Sequence, residues 1–213
     1  MNLINEVIIF PWDDIFKLIL ARKKKESIYA RKCEVRHVSK DEGKQFLNRY
    51  HLQNYCRCSI LLGLYYNDEL ISIMTFGKPR YNKNYDFEII RYCSSYSVIG
   101  GVEKLFKHFL DEYQPKNVIS YCDNAKFSGD TYLKLGFKLK SKGYPSKHWY
   151  NYETKEHYTD ALLRQQGYSR LIHHKDAKDD DLKTRNNKEL MLADGFVEVY
   201  DCGQSTYIYE RVH

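Results

Sequence analysis

A pair of adjacent glycines, set between a strand-like run and a helix-like run, constrains the fold of this chain more than any other feature. Residues 97–101 read Ser-Val-Ile-Gly-Gly, and apolar residues then recur at helical spacing until Pro115. Residues 117–122 resemble a buried strand, 127–135 a short helix, and another strand begins at Gly136. This order of strand, helix, strand, helix and strand predicts an α/β (α+β) fold, in which a crossover helix covers a mixed sheet.

The residues before the diglycine predict one helix and three further strands. Ser39 and Glu42 have the spacing of a capping box, which indicates a helix over about 40–49. Turn-forming residues at 67–69 separate two strand-like runs and predict a hairpin. The strand-like runs are 59–66, 70–76 and 87–93.

Three zones are predicted along the chain. Residues 1–38 form a basic, helical N-terminal extension, because a helix start at Pro11 precedes an apolar set and then a cluster of lysines and arginines. Residues 39–152 form the mixed-sheet core. Residues 153–213 form a small α+β extension, with helices near 157–166 and 186–194 and two final strands that turn at Cys202-Gly203.

The composition favours a cytoplasmic protein that contacts nucleic acid. The 34 basic and 28 acidic residues give a net charge of +6, and the chain has 20 tyrosines, which can stack on bases. The six cysteines include no C-x-x-C pair, which is consistent with reduced thiols. No apolar run reaches the length of about 18 residues that a membrane span needs, so no membrane contact is expected.

Two basic runs are the predicted nucleic-acid contacts. The first frames a loop that also carries Tyr81, Tyr85 and Tyr92. Its members are Lys78, Arg80, Lys83 and Arg91. The second run is Lys138, Lys140, Lys142 and Lys147. Cations beside aromatic rings could hold phosphates and stack an extruded base, whereas the alternative is a solvated surface with half-buried tyrosines.

The diglycine turn is the predicted cofactor-binding element. Backbone amides at a helix N-terminus attract phosphates, and glycine lets a ligand approach the backbone closely. The residues of this turn are Val98, Ile99, Gly100, Gly101 and Val102. A tight strand-to-helix turn without any ligand would use the same residues.

Over about 39–150, this arrangement resembles the GNAT N-acetyltransferase family, which has a glycine-rich phosphate loop before its third helix and often a Y-x-x-x-G-F run later. Tyr132-Leu-Lys-Leu-Gly-Phe137 matches that run, but 97–102 lacks the leading Arg or Gln and the final small residue of the loop. Other strings look like a phage GNAT-like domain, related to the Mom DNA-modification proteins and also fused to homing endonucleases. These strings begin at Tyr50, Leu62, Met74, Gly100 and Ser120.

The resemblance implies a GNAT-like mixed sheet whose central strands splay apart, an acyl donor such as acetyl-CoA, and a set of site residues. Tyr50, His51 and Asp123 occupy positions similar to those that Mom-like proteins are thought to use, and Tyr132 matches a general-acid tyrosine of acetyltransferases. His51 and Asp123 could bind Fe or Zn, or move protons. The alternatives are that both residues cap helices and that Tyr132 is a core residue.

The leading prediction is therefore a phage-type transferase that adds a small acyl-type group to a nucleic-acid base, DNA more than RNA. Two other functions stay open. The chain could be an N-acetyltransferase for a protein or small amine, or a non-catalytic DNA-binding module derived from a homing-endonuclease fusion. The predicted splay lies between 87–93 and 117–122.

Overall fold

The computed structural model describes residues 27–166 and 187–211. These residues divide into a larger compact unit, 27–142 with 205–211, and a smaller one, 143–166 with 187–204. The division falls after 142 and after 204; the zone boundaries after 38 and after 152 stay a prediction from the sequence. The helix predicted after Pro11 lies outside the described residues.

Twelve strands and five α-helices are present in the described ranges. The strands are β1 (Ser27–Tyr29), β2 (Glu34–His37), β3 (Ile60–Tyr66), β4 (Glu69–Gly77), β5 (Phe87–Ser94), β6 (Ser97–Ile99), β7 (Asn117–Asp123), β8 (Lys138–Lys142), β9 (Lys147–Asn151), β10 (His157–Thr159), β11 (Phe196–Tyr200) and β12 (Gln204–Glu210). The helices are α1 (Lys40–Tyr50), α2 (Gly101–Tyr113), α3 (Asp130–Lys134), α4 (Asp160–Gln166) and α5 (Asn187–Ala193). A 3-10 turn, Ala30–Lys32, follows β1.

Seven strands of the larger unit form one sheet in the order β2-β3-β4-β5-β7-β12-β8. Neighbours from β2 to β5 are antiparallel, β5 and β7 are parallel, and β12 and β8 are antiparallel. A crossover through α2 joins the parallel pair, as the glycine turn and Pro115 predicted. The sheet confirms the predicted α+β class.

The parallel pair β5 and β7 is joined over a short length. Its register consists of Phe87 with Val118 and Glu88 with Ile119. Beyond these residues, β5 continues to Ser94 and β7 to Asp123 without pairing with each other. The two strands therefore form a fork, which confirms the predicted splay.

Local signals placed α1 and the first hairpin correctly. Asn67 and Asp68 both have positive φ angles, 50° and 60°, as a two-residue turn of a twisted hairpin requires. The Ser39 hydroxyl accepts a hydrogen bond from the Glu42 amide at 3.2 Å. The Glu42 carboxylate, however, accepts from the Tyr65 hydroxyl at 2.8 Å, so this side chain ties the helix to β3.

Helices cover both faces of the large sheet. On one face, Leu105, Phe106 and Phe109 of α2 enter a core that includes Phe76 and Val118, and the rings of Phe76 and Phe109 stack with centroids 3.7 Å apart. On the other face, α1 contributes a second core. Its buried members include Phe46, Leu47, Leu61, Ile73 and Ile90. Both faces of β5 are therefore buried near its start, where Ile89 belongs to the first core and Ile90 to the second.

The smaller unit has its own sheet and core. Strands β10, β9 and β11 pair antiparallel in that order. One face buries Trp149, Leu163, Met191 and Phe196. The predicted helix at 157–166 is a short strand followed by a helix, because the backbone of 157–159 pairs with β9.

The two final strands and the turn at Cys202-Gly203 are present as predicted, and the two strands belong to different sheets. Strand β11 pairs with β9 of the smaller unit, whereas β12 pairs with β8 of the larger one. The turn residue Gly203 has a φ of 70°. An added Cβ there would lie 2.5 Å from the Gly143 carbonyl oxygen, so the close approach of two backbones requires glycine. No helix in the described residues is long and apolar enough to cross a membrane.

Candidate functional site

The hydroxyl of Tyr132, one of the predicted site residues, lies at the fork between β5 and β7. Ser120 is the first residue of β7 beyond the paired segment, and its hydroxyl donates to the Ile89 carbonyl of β5 at 3.2 Å. The same oxygen lies 3.0 Å from the Tyr132 hydroxyl, which is also 3.5 Å from the Tyr121 carbonyl. Tyr132 thus points its hydroxyl at the point where the strands separate.

Packing fixes the position of Tyr132. Its ring stacks on Tyr207 with centroids 4.9 Å apart and lies edge-on to Phe137 at 5.7 Å. Burial raises the pKa of Tyr132 above its ordinary value, and the Ser120 contact opposes this shift only in part. The phenol is therefore protonated at neutral pH, as a proton donor must be.

The diglycine turn lies where the sequence predicted it, and the two glycines have different roles. Gly100 is exposed, has a φ of 75° and precedes the first turn of α2; an added Cβ would lie no closer than 3.8 Å to another atom. Gly101 is buried, and an added Cβ would lie 3.0 Å from Val98. Gly101 is thus needed for packing, whereas Gly100 leaves open space above the helix N-terminus.

Other residues of the predicted phosphate loop take part in strand pairing. Ser97, Val98 and Ile99 form β6, which pairs in parallel with β1. Lys104, the basic residue in the first turn of α2, donates from its amine to the carbonyls of Ala30 at 3.0 Å and Cys33 at 2.5 Å. The amides available to a phosphate are therefore those of the first turn, from Gly101 onward, which have no partner within the helix.

His51, Tyr50 and Asp123 make local contacts at the ends of their elements. His51 follows α1, and its Nδ1 accepts from the Gln53 amide at 3.0 Å. The Tyr50 ring packs on Phe46 with centroids 4.8 Å apart. The Asp123 carboxylate accepts from the Ala125 amide at 3.0 Å, and its other oxygen lies 3.4 Å from the Lys126 amine. These contacts agree with the capping alternative.

The predicted metal site gains no support from these side chains. Within residues 27–166 and 187–211, no group of three or more His, Cys, Asp or Glu side chains has the arrangement to hold a metal ion. A lone pair of His51 and an oxygen of Asp123 are already used by backbone amides. Fe or Zn at His51 and Asp123 therefore stays a prediction from the resemblance.

A buried ion pair that the sequence reasoning missed lies at the base of the fork. The Glu88 side chain on β5 is fully buried and faces away from Ile89. Its carboxylate accepts from Nε and Nη2 of Arg80 at 2.8 and 2.6 Å, and from the Arg80 amide at 2.7 Å. The sequence did contain a signal for this pair: Glu88 lies among the apolar residues Phe87, Ile89 and Ile90 of a predicted strand, and a buried carboxylate needs a partner.

The first predicted nucleic-acid run is therefore largely used by the protein itself. Arg80 binds Glu88, and the Lys83 amine donates to the carbonyls of Pro79 and Arg80. Arg91 donates to the carbonyls of Ile90 at 2.9 Å and Asn54 at 3.3 Å. Lys78 is exposed. The structure thus assigns structural contacts to three of the four residues, and the contact of this run with nucleic acid stays a prediction.

A second set of titratable groups lies in the smaller unit. His148 Nδ1 is 2.9 Å from His157 Nε2, and His148 Nε2 is 3.3 Å from the Asp201 carboxylate. The two rings are almost parallel, at 9°. Burial and the neighbouring His148 lower the pKa of His157. The pKa of Asp201 is also lowered; burial opposes this shift, and hydrogen bonds from the Ser146 and Gly203 amides and from His148 outweigh it. These residues form a hydrogen-bonded chain across the sheet.

Comparisons with known proteins give matches in structure alone. No protein-family model and no curated protein matches the sequence. An N-acetyltransferase from Staphylococcus aureus Mu50 is 12% identical with a TM-score of 0.48, and the match covers 84% of this chain and 98% of that one. A Bacillus subtilis acetyltransferase in complex with CoA is 11% identical with a TM-score of 0.43, over 85% of this chain and 100% of the other.

A third solved structure is a GNAT family acetyltransferase from Elizabethkingia anophelis with acetyl-CoA bound. It is 11% identical with a TM-score of 0.44, and the match covers 84% of this chain and 99% of that chain. At such identities and TM-scores, no residue role is transferred from these proteins. The chain is thus similar, at a distance, to acetyltransferases of known structure.

Proposed function

We propose that the larger unit is an acyltransferase that moves an acyl group from a thioester donor to an amine. The observation that carries this proposal is the fork between β5 and β7, with the protonated Tyr132 hydroxyl at its origin. Strands that separate expose backbone groups that a donor can pair with, and a phenol at the same point can protonate a leaving group. The resemblance to the GNAT family, stated from the sequence, implies acetyl-CoA as the donor.

The chemistry requires one proton donor and a place for the amine. Attack of a neutral amine on the thioester carbonyl forms a C–N bond and breaks the C–S bond, so the departing thiolate takes a proton. Tyr132 supplies that proton, and the proton lost by the amine returns to solvent. Glu88 is not available as the base, because Arg80 donates three hydrogen bonds to its buried carboxylate.

The donor's phosphates have a place at the N-terminus of α2. Gly100 is exposed and leaves room above the first turn, and the aligned peptide dipoles of this 13-residue helix favour an anion there. Glu103 lies in the same turn and opposes a phosphate. This arrangement supports binding through backbone amides rather than through basic side chains.

Donor binding can be tested with two matched glycine variants. Calorimetric titration with acetyl-CoA is expected to show binding, and Gly100→Asp to weaken it at least about fivefold, because two like charges a few ångströms apart repel by about 1–4 kcal/mol. Gly136→Asp is the control, since Gly136 is also exposed, has a φ of 84° and leaves its added Cβ 3.7 Å from Tyr209. Equal loss in both variants, or no binding by the unaltered protein, would contradict the proposal.

A nucleic-acid base is a second, narrower proposal for the acceptor, supported by the surface of β8. This edge strand is exposed along its whole length and carries Lys138, Lys140 and Lys142, with a shift in its pairing to β12 at Lys140. The Lys140 amine lies 2.6 Å from the Tyr85 hydroxyl and 5.0 Å from the centre of its ring. Tyr81, on the same loop as Tyr85, is 75% exposed. Lysines beside accessible rings suit phosphates and unstacked bases.

The salt dependence of DNA binding tests this surface. Changing Lys138, Lys140 and Lys142 together to alanine is expected to reduce the slope of log K against log salt by about 2–3 units for duplex DNA, at about 0.9 per phosphate contact. Fluorescence anisotropy at several salt concentrations measures the slope. The control is the change of the exposed residues Lys40, Lys44 and Lys107, which lie on α1 and α2.

An unchanged slope in the β8 variant would remove this strand from the contact surface. If the β8 variant reduces the slope as expected while acetyl-CoA does not bind, a non-catalytic DNA-binding module is the better interpretation. Arg80 is left unchanged in this experiment. Its loss would leave the buried Glu88 carboxylate without its partner and would destabilise the protein, which is unrelated to DNA binding.

A further inference from the structure

Arg91 is a largely desolvated cation on β5. It lies on β5 beyond the residues that pair with β7, so its backbone borders the fork. Its guanidinium donates to two backbone carbonyls, Ile90 at 2.9 Å and Asn54 at 3.3 Å. Among the described residues, no Asp or Glu forms an ion pair with it. Burial lowers the pKa of Arg91, which shows that its environment disfavours the charge.

A second guanidinium increases the positive charge at this place. Arg80 and Arg91 repel each other, and their mutual repulsion also lowers the pKa of Arg91. Glu88 offsets one of the two charges through its bonds to Arg80. The group therefore carries a net charge of about +1 on a site partly removed from water, a state that costs free energy unless another anion completes it.

The surroundings indicate what could approach these cations. Nη1 of Arg80 lies 4.0 Å from the Cys56 sulfur, and the half-buried Cys56 also interacts electrostatically with Arg91. Tyr121 of β7 lies edge-on to Tyr81, with ring centroids 5.6 Å apart, and interacts with Arg80 and Glu88. Side chains from both arms of the fork thus border the group.

We propose that Arg91, supported by Arg80, binds an anionic group of the acceptor, a carboxylate or a phosphate, and so positions its amine at the fork. This inference rests on the proposed acyl transfer, for which it names the class of acceptor. The planar guanidinium suits either anion, because two parallel N–H groups match two oxygens. The backbone contacts hold the side chain in place before the anion binds, which reduces the entropy lost on binding.

Alkylation of Cys56 provides a direct test on the unaltered protein. Inorganic phosphate and acetate, added separately, are expected to slow the reaction of Cys56 with iodoacetamide about tenfold at saturation, because the anion covers the thiol between the two arginines. Chloride at equal ionic strength should leave the rate within about twofold, since screening alone acts weakly over such short distances. Tandem mass spectrometry of the peptide that contains both cysteines distinguishes alkylation at Cys56 from alkylation at Cys58, and it does so in every variant. Equal rates in phosphate, acetate and chloride would overturn the proposal.

Three arginine variants distinguish a specific anion site from a general effect of positive charge. Arg91→Gln is expected to raise the concentration of phosphate or acetate that gives half-maximal protection of Cys56 by about 10- to 100-fold. This is the loss that follows when a charge-assisted hydrogen bond is removed. Arg57→Gln is the matched control, because Arg57 is exposed and lies next to Cys56 on the loop between α1 and β3. Arg91→Lys keeps the charge but loses the planar guanidinium, so phosphate or acetate should protect Cys56 to a degree between those of the other two variants. Identical protection in all three variants would contradict the assignment.

The two anion sources and the two proposals give different outcomes. Stronger protection by phosphate than by acetate assigns a phosphorylated acceptor, and the reverse order assigns an amine with a carboxylate. Protection of Cys56 without acetyl-CoA binding would retain the anion site and remove the acyltransferase. Binding of acetyl-CoA without protection would retain the acyltransferase and remove Arg91 from acceptor recognition.

Discussion

Replacing Arg80 with alanine is expected to lower the free energy of unfolding by about 3–5 kcal/mol, because it leaves a buried carboxylate without its partner. The Glu88 side chain is fully buried and takes two of its hydrogen bonds from the Arg80 guanidinium. The Arg80 side chain is itself 38% exposed, so the cost comes mainly from Glu88. Urea denaturation followed by circular dichroism measures the loss.

Arg36→Ala is the control for this prediction. Arg36 also pairs with two carboxylates, Glu34 and Asp68, but these side chains are 63% and 85% exposed. Exposed pairs contribute about 0–1 kcal/mol, so this variant should unfold within about 1 kcal/mol of the unaltered protein. Adding Glu88→Leu to Arg80→Ala should recover much of the loss, since no buried charge then remains. A similar decrease in the free energy of unfolding in the Arg80 and Arg36 variants would show that the buried Glu88 pair stabilises the protein no more than an exposed pair does.

Changing Tyr132 to phenylalanine is expected to slow acyl transfer by about 100-fold or more, the usual contribution of a positioned proton donor. The change removes one oxygen and keeps the ring that stacks on Tyr207, so folding and acetyl-CoA binding should be preserved. Release of the thiol from acetyl-CoA, in the presence of an acceptor amine, measures the rate. Because the pKa of Tyr132 is raised, the rate should not fall through loss of its proton until the pH exceeds about 10.

Tyr207→Phe is the matched control for Tyr132. Tyr207 is buried in the same aromatic stack, but its hydroxyl points toward Gly129, where an added Cβ would lie in close contact with it. The rate should therefore change little in this variant. If both variants transfer the acyl group at the normal rate, Tyr132 is a core residue, as the alternative from the sequence states.

Sequence patterns were sufficient for features that depend on neighbouring residues. The Ser39 cap, the Asn67-Asp68 turn and the diglycine before α2 all lie at the predicted positions, since each reflects the backbone preference of a few adjacent residues. The fork was predicted because the order of elements and the resemblance to the GNAT family imply a parallel pair joined by a crossover helix. Its confirmation rests on the register of β5 and β7.

Features that depend on distant residues were predicted less well. The Arg80 contact with Glu88 was missed because a charged residue in a basic loop has the same sequence pattern whether it faces water or a buried carboxylate. A shared site of His51 and Asp123 stays a prediction; each side chain accepts a hydrogen bond from the backbone amide two residues later. Sequence spacing gives no distance between the ends of α1 and β7.

The sequence by itself determined α1, the β3–β4 hairpin, α2 and the class of the fold, because hydrophobic period, capping residues and turn residues act over a few positions. Apart from the β3–β4 hairpin and the β5–β7 pair, only the tertiary structure decided which strands became neighbours. It placed β12 between β7 and β8, although 61 residues separate the end of β8 from the start of β12, and it paired β6 with β1. Such pairings depend on the packing of whole faces, and neither strand carries a local signal for its partner.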